Sequence, residues 1–185
     1  MWYSDHLTMK NTVIDAPKMF REMNDIDIEN VEINDADEIF WRCNRINVKN
    51  LKLHGGTYPF MFSNDIRIDG FESDSKYVFQ YVKNVEIHNA KITTKDAFWE
   101  VENVTIYDSE LNGEYLGWHS RNLRLVNCHI SGEQPLCYAH DLVLETARST
   151  VSATGPLSIL RSTPIYAELS PTSRIRCRAL LWPTQ

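Results

Sequence analysis

The sequence repeats with a period of 19 or 20 residues, and no other feature restricts its possible folds as strongly. Each repeat contains an apolar residue that we use as its anchor: Leu7, Ile26, Ile46, Ile66, Val85, Val104, Leu123 and Leu142. The residue two positions after each anchor is also apolar, and a second apolar pair often follows at five and seven positions. Apolar residues at every second position are typical of β-strands, so each repeat is predicted to form short strands.

The residue four positions after each anchor is predicted to lie at a turn. These residues are Asn11, Asn30, Asn50, Gly70, Asn89, Asp108, Asn127 and Thr146. Asn, Asp and Gly tolerate the left-handed backbone that a tight turn needs. Coils stacked at ~4.8 Å bring the side chains of this column together. We therefore expect a hydrogen-bonded ladder, with side chains directed into the coil, formed by Asn11, Asn30, Asn50, Asn89, Asp108 and Asn127.

A third apolar segment precedes each anchor. Six positions before the anchor, five repeats carry a phenylalanine: Phe20, Phe40, Phe60, Phe79 and Phe98. We interpret this segment as a third strand, which gives three short strands and three turns per coil, the organisation of a parallel β-helix. A pentapeptide-repeat solenoid needs a Leu or Phe every five residues, and a leucine-rich repeat needs a helical stretch in each unit. The sequence has neither pattern.

The repeat pattern ends after Leu144. Residues 146–185 contain no Lys, Asn or Asp and are rich in Ser, Thr and Pro. We expect a parallel β-helix at residues 1–145 and an irregular or disordered tail at residues 146–185, which is either native or a non-native reading frame. The first residues match the middle of a third strand rather than a cap. The solenoid is therefore expected to be truncated at both ends, with uncapped coils able to associate end to end.

Four successive coils contain similar phrases: Phe79-Gln80-Tyr81, Lys95-Asp96-Ala97-Phe98-Trp99, Gly113-Glu114-Tyr115-Leu116-Gly117-Trp118 and Gln134-Pro135-Leu136-Cys137-Tyr138. Over residues 1–145 the chain resembles a bacterial family of β-helix proteins that is a domain of unknown function. Together with the repeat, this resemblance implies an all-β fold, a single-stranded right-handed parallel β-helix of about seven coils of 19–20 residues. It implies no activity and no catalytic residue.

The charge distribution limits the partners of the predicted solenoid. Residues 1–145 contain eight lysines and six arginines against 24 acidic residues, a balance of −10. Binding to nucleic acid or to an anionic membrane depends on Lys and Arg, so neither is expected as a partner. The four cysteines have neither paired nor metal-ligand spacing, and the sequence shows no signal-peptide pattern and no membrane-spanning apolar run. These features predict a cytoplasmic protein with reduced thiols and no cofactor.

Aromatic and ionisable residues concentrate four positions before the anchor. In the last four coils these candidate binding residues are Tyr81, Glu100, His119 and Tyr138. Strand alternation places them outward and places the tryptophans one position earlier inward. Aromatic rings beside a carboxylate suit a sugar or a protein surface, which favours a non-enzymatic binding or scaffold protein for a carbohydrate or a protein partner. The simpler interpretation is that the rings stabilise the sheet by stacking across coils.

The competing hypothesis is a polysaccharide-acting enzyme, lyase-like or hydrolase-like, whose site is completed by coils outside this chain. Glycoside hydrolysis needs two carboxyl groups at a fixed separation, and Glu100 with Asp96 is one available pair. Such a pair is expected by chance in an acidic chain, so no residue is assigned a catalytic role. No metal site is expected either, because the six histidines occupy different columns of the repeat.

Overall fold

A computed structural model describes residues 1–151, which form only β-strands, turns and bends. The strands are β1 (Asp5–Asp15), β2 (Asn24–Asn34), β3 (Asn44–His54), β4 (Asn64–Ser73), β5 (Lys83–Thr93), β6 (Asp96–Ala97), β7 (Glu102–Tyr107), β8 (Glu110–Asn112), β9 (Tyr115–Leu116), β10 (Arg121–Val126), β11 (His129–Gly132), β12 (Val143–Glu145) and β13 (Arg148–Val151).

The strands stack in parallel as a β-solenoid of about eight turns. The main path of the sheet runs β1-β2-β3-β4-β5-β7-β10-β12, so each coil contributes one row. The anchors lie directly opposite one another, with Ile26 paired to Ile46 and Ile46 to Ile66. The predicted repeat and its parallel stacking are therefore confirmed. The two strands predicted around each anchor are continuous through β1 to β5 and separate from β7 onward.

The interior of the solenoid is filled by the anchors, the other apolar strand positions and a stack of phenylalanine rings. Phe60 lies at the middle of this stack, with ring centroids 4.9 Å from Phe40 and 4.7 Å from Phe79. The stack continues to Phe20 and to Phe98 at 5.3 Å per step. Each aromatic pair adds about 0.5–1.5 kcal/mol beyond the area that it buries. The stack thus links five coils through one continuous apolar column.

The segment predicted as a third strand is mostly a series of turns. In every coil from the second onward, the residues six and four positions before the anchor have a left-handed backbone, as at Phe60 (φ 64°) and Phe62 (φ 61°). The Phe60 amide donates to the Ile39 carbonyl of the preceding coil at 2.8 Å, and the Phe62 amide donates to the Gln80 carbonyl of the following coil at 3.1 Å. Cross-coil hydrogen bonding is therefore kept, although within residues 1–151 only β6 and β9 form a named strand pair here.

The alternating backbone also explains the burial pattern of this segment. Phe60 is buried, Phe62 is exposed and Ser63 is buried, which a regular strand with period two does not produce. The side chains that point inward are therefore those six and three positions before the anchor, rather than those at every second position.

The asparagine ladder is confirmed, with one correction to its orientation. All eight residues four positions after an anchor have positive φ, from 49° at Asn11 to 83° at Gly70. Side-chain amides donate from Asn30 to Asn11 at 3.1 Å, from Asn50 to Asn30 at 2.9 Å and from Asn127 to Asp108 at 2.6 Å. These side chains are exposed rather than directed into the coil, because the apolar residues on both sides of the bend occupy the interior.

Gly70 interrupts this ladder for a steric reason. A Cβ atom added to Gly70 would collide with Asn50 Oδ1 of the preceding coil. Asn89, in the next coil, donates instead to Asp69 Oδ1 at 2.7 Å. The amide of Asn89 thus finds an acceptor one position off the column, next to the gap left by Gly70.

Two more polar ladders lie just before the anchors, and sequence analysis missed both. One position before the anchor, side-chain amides donate from Asn84 to Asp65, from Asn103 to Asn84 and from Asn122 to Asn103 at 2.9–3.2 Å. Two positions before the anchor, a second chain joins Asp5, Asn24, Asn44 and Asn64. Both columns of Asp and Asn are visible in the repeat once the sequence is aligned by its anchors.

The described residues extend past the predicted boundary at 145. Strand β13 (Arg148–Val151) pairs in parallel with β11 and continues the sheet by one row. The rest of the predicted tail, residues 152–185, lies outside the described residues.

Replacing Asn50 by Ala is expected to lower the free energy of unfolding by about 1–3 kcal/mol. The change removes one amide–amide hydrogen bond and also places Ala in a left-handed conformation, which costs ~1–2 kcal/mol. Asn47→Ala is the matched control, because Asn47 lies on the same strand and donates an equivalent hydrogen bond to Asp27 at 3.0 Å without a positive φ. Urea denaturation should show the smaller loss for Asn47→Ala, and equal losses would contradict a backbone role for the ladder.

Candidate functional site

The four candidate binding residues lie on one exposed row of the solenoid. Tyr81, Glu100, His119 and Tyr138 have φ values of 51–58°, and this left-handed backbone turns each side chain away from the interior. Glu100 and His119 are exposed, Tyr138 is 53% exposed, and Tyr81 is half-buried. We call this row, with Phe62 at one end and the adjacent Trp99 and Trp118, the corner strip.

Main-chain hydrogen bonds fix the corner strip at the coil spacing. The Tyr81 amide donates to the Trp99 carbonyl at 2.9 Å, and the Glu100 amide donates to the Trp118 carbonyl at 2.8 Å. The His119 amide donates to the Cys137 carbonyl at 3.2 Å. The strip is therefore ordered without a ligand, and a partner that binds it does not have to order its backbone.

The rings of the corner strip stack on one another along the solenoid axis. His119 and Tyr138 have centroids 4.9 Å apart and an interplanar angle of 6°. Phe62 and Tyr81 have centroids 5.0 Å apart and an angle of 20°. Because each ring covers the face of its neighbour, these pairs present mainly ring edges and polar tips to solvent. The predicted cross-coil stacking and the predicted exposed surface are thus two properties of the same residues.

The tryptophans next to the strip do not point inward as expected. Trp41, Trp99 and Trp118 are half-buried and lie against the outside of the coil. The Trp118 indole packs edge-on against Tyr138 at 5.5 Å, and its Nε1 donates to the Gln134 carbonyl at 2.7 Å. The inward positions are already taken by the phenylalanine column and by the residues three positions before the anchor, so the indoles form the side wall of the strip.

Glu100 is the non-aromatic member between Tyr81 and His119. Among residues 1–151, its carboxylate has no hydrogen-bond or ion-pair partner. The outer face of the Tyr81 ring is covered by Phe62 and that of the His119 ring by Tyr138. The two remaining faces are directed toward the level of Glu100.

An arginine sandwich lies at the other end of the same surface, and sequence analysis missed it. Arg21 Cζ lies 5.3 Å from the Trp2 ring centroid and 5.0 Å from that of Trp41, and the guanidinium also pairs with Glu38. Trp2, Arg21 and Trp41 occupy one column in three successive coils. The sequence contained this information, because residues of one column become neighbours when the coils stack.

The carboxyl pair considered for catalysis does not share one accessible surface. Glu100 is exposed, whereas Asp96 is only 6% exposed and its Oδ1 has no hydrogen-bond partner among residues 1–151. Burial raises the pKa of the Asp96 carboxyl above its usual range, although the Lys95 ammonium opposes this shift. Asp96 therefore belongs to the packed part of the coil and Glu100 to the surface.

The thiols are also unsuited to nucleophilic chemistry. Burial raises the pKa of the Cys43 thiol to about 11, and it raises the pKa of the Cys128 and Cys137 thiols as well. A thiol needs a lowered pKa to act as a nucleophile near neutral pH. Across the part of the chain that the structure describes, no group of three His, Cys, Asp or Glu side chains could hold a metal ion. In the same residues, no helix is long and apolar enough to cross a membrane.

Comparison with known proteins places the chain in a family. The family model described as "Protein of unknown function (DUF3737)" matches residues 1–171, so the chain belongs to this family. The matched region includes the whole corner strip and continues past the described residues. No curated protein and no solved structure matches the sequence.

Replacing Asp96 by Asn is expected to raise the melting temperature at pH 7 and to raise it less near pH 4. A carboxyl whose pKa is raised by folding favours the folded state most when it is protonated, and this contribution is lost as the pH rises through the raised pKa. The amide resembles the protonated form at every pH. Asp35→Asn removes the same charge from an exposed side chain and should change stability by less than about 0.5 kcal/mol. Thermal denaturation at the two pH values checks this, and a gain for Asp96→Asn that does not depend on pH would contradict it.

Proposed function

We propose that this member of the DUF3737 family is a non-enzymatic binding protein that holds a protein partner on its corner strip. The observation that carries the proposal is an exposed row of Tyr, His, Glu and Trp side chains whose positions are already fixed by cross-coil hydrogen bonds and stacking. Tyr and Trp are enriched at protein interfaces, where they provide contact area at a small cost in conformational entropy. A preformed surface keeps the cost of binding low.

The direction of the rings favours a protein over a carbohydrate as the partner. Binding of sugar rings depends on aromatic faces that are turned toward solvent, whereas the rings here stack along the solenoid axis, Tyr138 on His119 and Tyr81 on Phe62, so that their faces are directed along the axis. Toward solvent, the strip offers ring edges, the Tyr hydroxyl groups and a carboxylate. These groups suit the hydrogen bonds and edge contacts of a polypeptide.

The chemistry of the strip supports binding rather than catalysis. Glu100 is its one carboxylate, and Asp96 of the same coil is buried. Glycoside hydrolysis uses two carboxyl groups that both reach the substrate. Of the residues described, the three cysteines have thiols with raised pKa values. The enzyme hypothesis would therefore have to draw its second carboxyl group from elsewhere.

Selection from a random peptide library on the immobilised protein tests this function. Wild-type protein should enrich peptides whose binding falls at least tenfold in the double variant His119→Asn/Tyr138→Asn, because the strip loses one stacked pair. Asn is chosen since it tolerates the left-handed backbone at both positions. The matched control is His88→Asn/Tyr107→Asn, which removes a His–Tyr stack of 4.5 Å and 8° from the flat face of the sheet.

The controls decide between the hypotheses. Equal loss of peptide binding in both double variants would show that the strip has no special role. A panel of neutral and acidic oligosaccharides is screened in parallel, and strip-dependent binding of a glycan without any strip-dependent peptide would overturn the proposal in favour of a carbohydrate ligand. Turnover of a glycan would favour the enzyme hypothesis.

A further inference from the structure

We infer that the level of Glu100 in the corner strip is a binding slot for a guanidinium group, supplied by an arginine side chain of the protein partner. The slot has the Tyr81 and His119 rings as its two walls and the Glu100 carboxylate as its floor. This inference rests on the proposed function, and it names the chemistry that the strip recognises.

The spacing of the coils gives the slot the right width. Tyr81 and His119 lie two coils apart, a separation of ~9.6 Å at the usual distance between parallel strands. A planar group at the level of Glu100 would therefore lie one coil spacing from each ring. That is the spacing of the stacks that already flank the slot, which have centroid distances of 5.0 Å and 4.9 Å.

The walls of the slot are held rigid from behind. Phe62 packs against the far face of Tyr81, and Tyr138 packs against the far face of His119. The Trp99 indole lies 6.1 Å from the His119 ring and closes one side. The two ring faces that line the slot are the ones not covered within these stacks, and the tilted Trp99 indole of the Glu100 coil approaches the His119 ring from this level. Glu100 thus stands where a regular aromatic column would have another ring.

A second place in the same protein shows which group binds between two aromatic rings. At the other end of this surface, Arg21 lies between Trp2 and Trp41, which are also two coils apart, with its guanidinium at 5.3 Å and 5.0 Å from the two ring centroids. The carboxylate of Glu38 pairs with it. Arg42 lies similarly over Phe62 at 5.6 Å. Two rings and one carboxylate thus bind a guanidinium in this solenoid, where Arg21 is itself the middle member of its column. At the Glu100 level the middle member supplies the carboxylate, so the guanidinium has to come from the partner.

The negative charge of the site favours a cationic ligand. The Glu100 carboxylate has no ion-pair partner among residues 1–151, and residues 1–145 carry a balance of −10. A guanidinium satisfies the carboxylate through a bidentate, charge-assisted hydrogen bond and stacks on aromatic faces. Lysine supplies the charge without the flat group, and a neutral planar amide supplies the flat group without the charge.

Titration with Nα-acetyl-arginine amide, followed by NMR of the aromatic protons, tests the slot. The signals of Tyr81 and His119, assigned from single variants at each position, are expected to shift and to saturate. Glu100→Gln keeps the shape of the side chain and removes its charge, and it should weaken binding at least tenfold. The matched control is Glu102→Gln, because Glu102 already pairs with Lys83 at 2.9 Å and lies outside the slot. Its affinity should stay within twofold of wild type.

Two analogues of the probe separate charge from shape. Nα-acetyl-citrulline amide is planar and neutral, and it is expected to bind at least tenfold more weakly. Nα-acetyl-lysine amide is charged and not planar, and it is expected to bind at least threefold more weakly. Unchanged affinity in Glu100→Gln, equal binding of either analogue, or shifts confined to residues outside the strip would overturn the slot.

The two proposals fail in different ways. Library peptides that depend on His119 and Tyr138, lack basic residues and still bind Glu100→Gln would leave the proposed function standing and overturn the slot. Saturable binding of the arginine probe with no strip-dependent peptide would support the slot and overturn the proposed protein-binding function.

Discussion

Main-chain hydrogen bonding between parallel strands sets the distance between coils, and the other contacts in the molecule repeat at that distance. The spacing of ~4.8 Å is also the distance at which flat side chains stack and at which amide side chains reach one another. Phe60 thus meets a ring above and a ring below, and Asn50 reaches Asn30 at 2.9 Å. Along the solenoid axis, the neighbours of a side chain are therefore the residues 19 or 20 positions before and after it.

The left-handed residues give each coil its shape. A bulky residue in this conformation costs ~1–2 kcal/mol, and phenylalanine adopts it in five coils. Burial and stacking of the rings offset this cost, together with amide hydrogen bonds to both neighbouring coils. The same backbone turns the residue two positions after the phenylalanine outward. The core stack and the corner strip are therefore two consequences of one local conformation.

Whether a feature of the fold could be predicted depends on whether it follows from the repeat and residue preferences or from the local backbone conformation. Sequence alone predicted the coils, the strands around the anchors and the left-handed residue at the asparagine column, because all three follow from the repeat and from residue preferences. The turn expected at this column is a bend within one continuous strand in each of β1 to β5. Sequence did not predict the direction of the Asn50 and Trp99 side chains or the absence of a regular third strand. Period-two alternation fails where left-handed residues alternate with extended ones, and Phe residues give no local sign of that conformation.

The candidate site likewise has features that could be predicted from sequence and features that could not. The outward placement of Tyr81, Glu100, His119 and Tyr138 was predicted, although for a regular third strand that residues 1–151 do not form beyond the short β6–β9 pair. Cross-coil stacking of these rings was predicted as the simpler interpretation, and the structure adds which pairs stack and which faces they cover. The Arg21 sandwich could have been predicted, since Trp2, Arg21 and Trp41 form one column of the aligned repeat. Comparing residues within columns, rather than along the chain, would have found it.

Residues of one kind in one column provide one another's hydrogen-bond or stacking partners. A site for another molecule is therefore most readily created where a different residue interrupts the column. The asparagine ladder is broken at Gly70, and there the amide of Asn89 finds another acceptor in Asp69 at 2.7 Å. The aromatic column is broken at Glu100, and within the described part of the chain no neighbouring side chain repairs it. A carboxylate between two aromatic faces keeps both its charge and the faces available to another molecule. Among the described residues, the break at Glu100 leaves a carboxylate without an ion-pair partner on the surface, and it lies within the row that cross-coil hydrogen bonds hold in place.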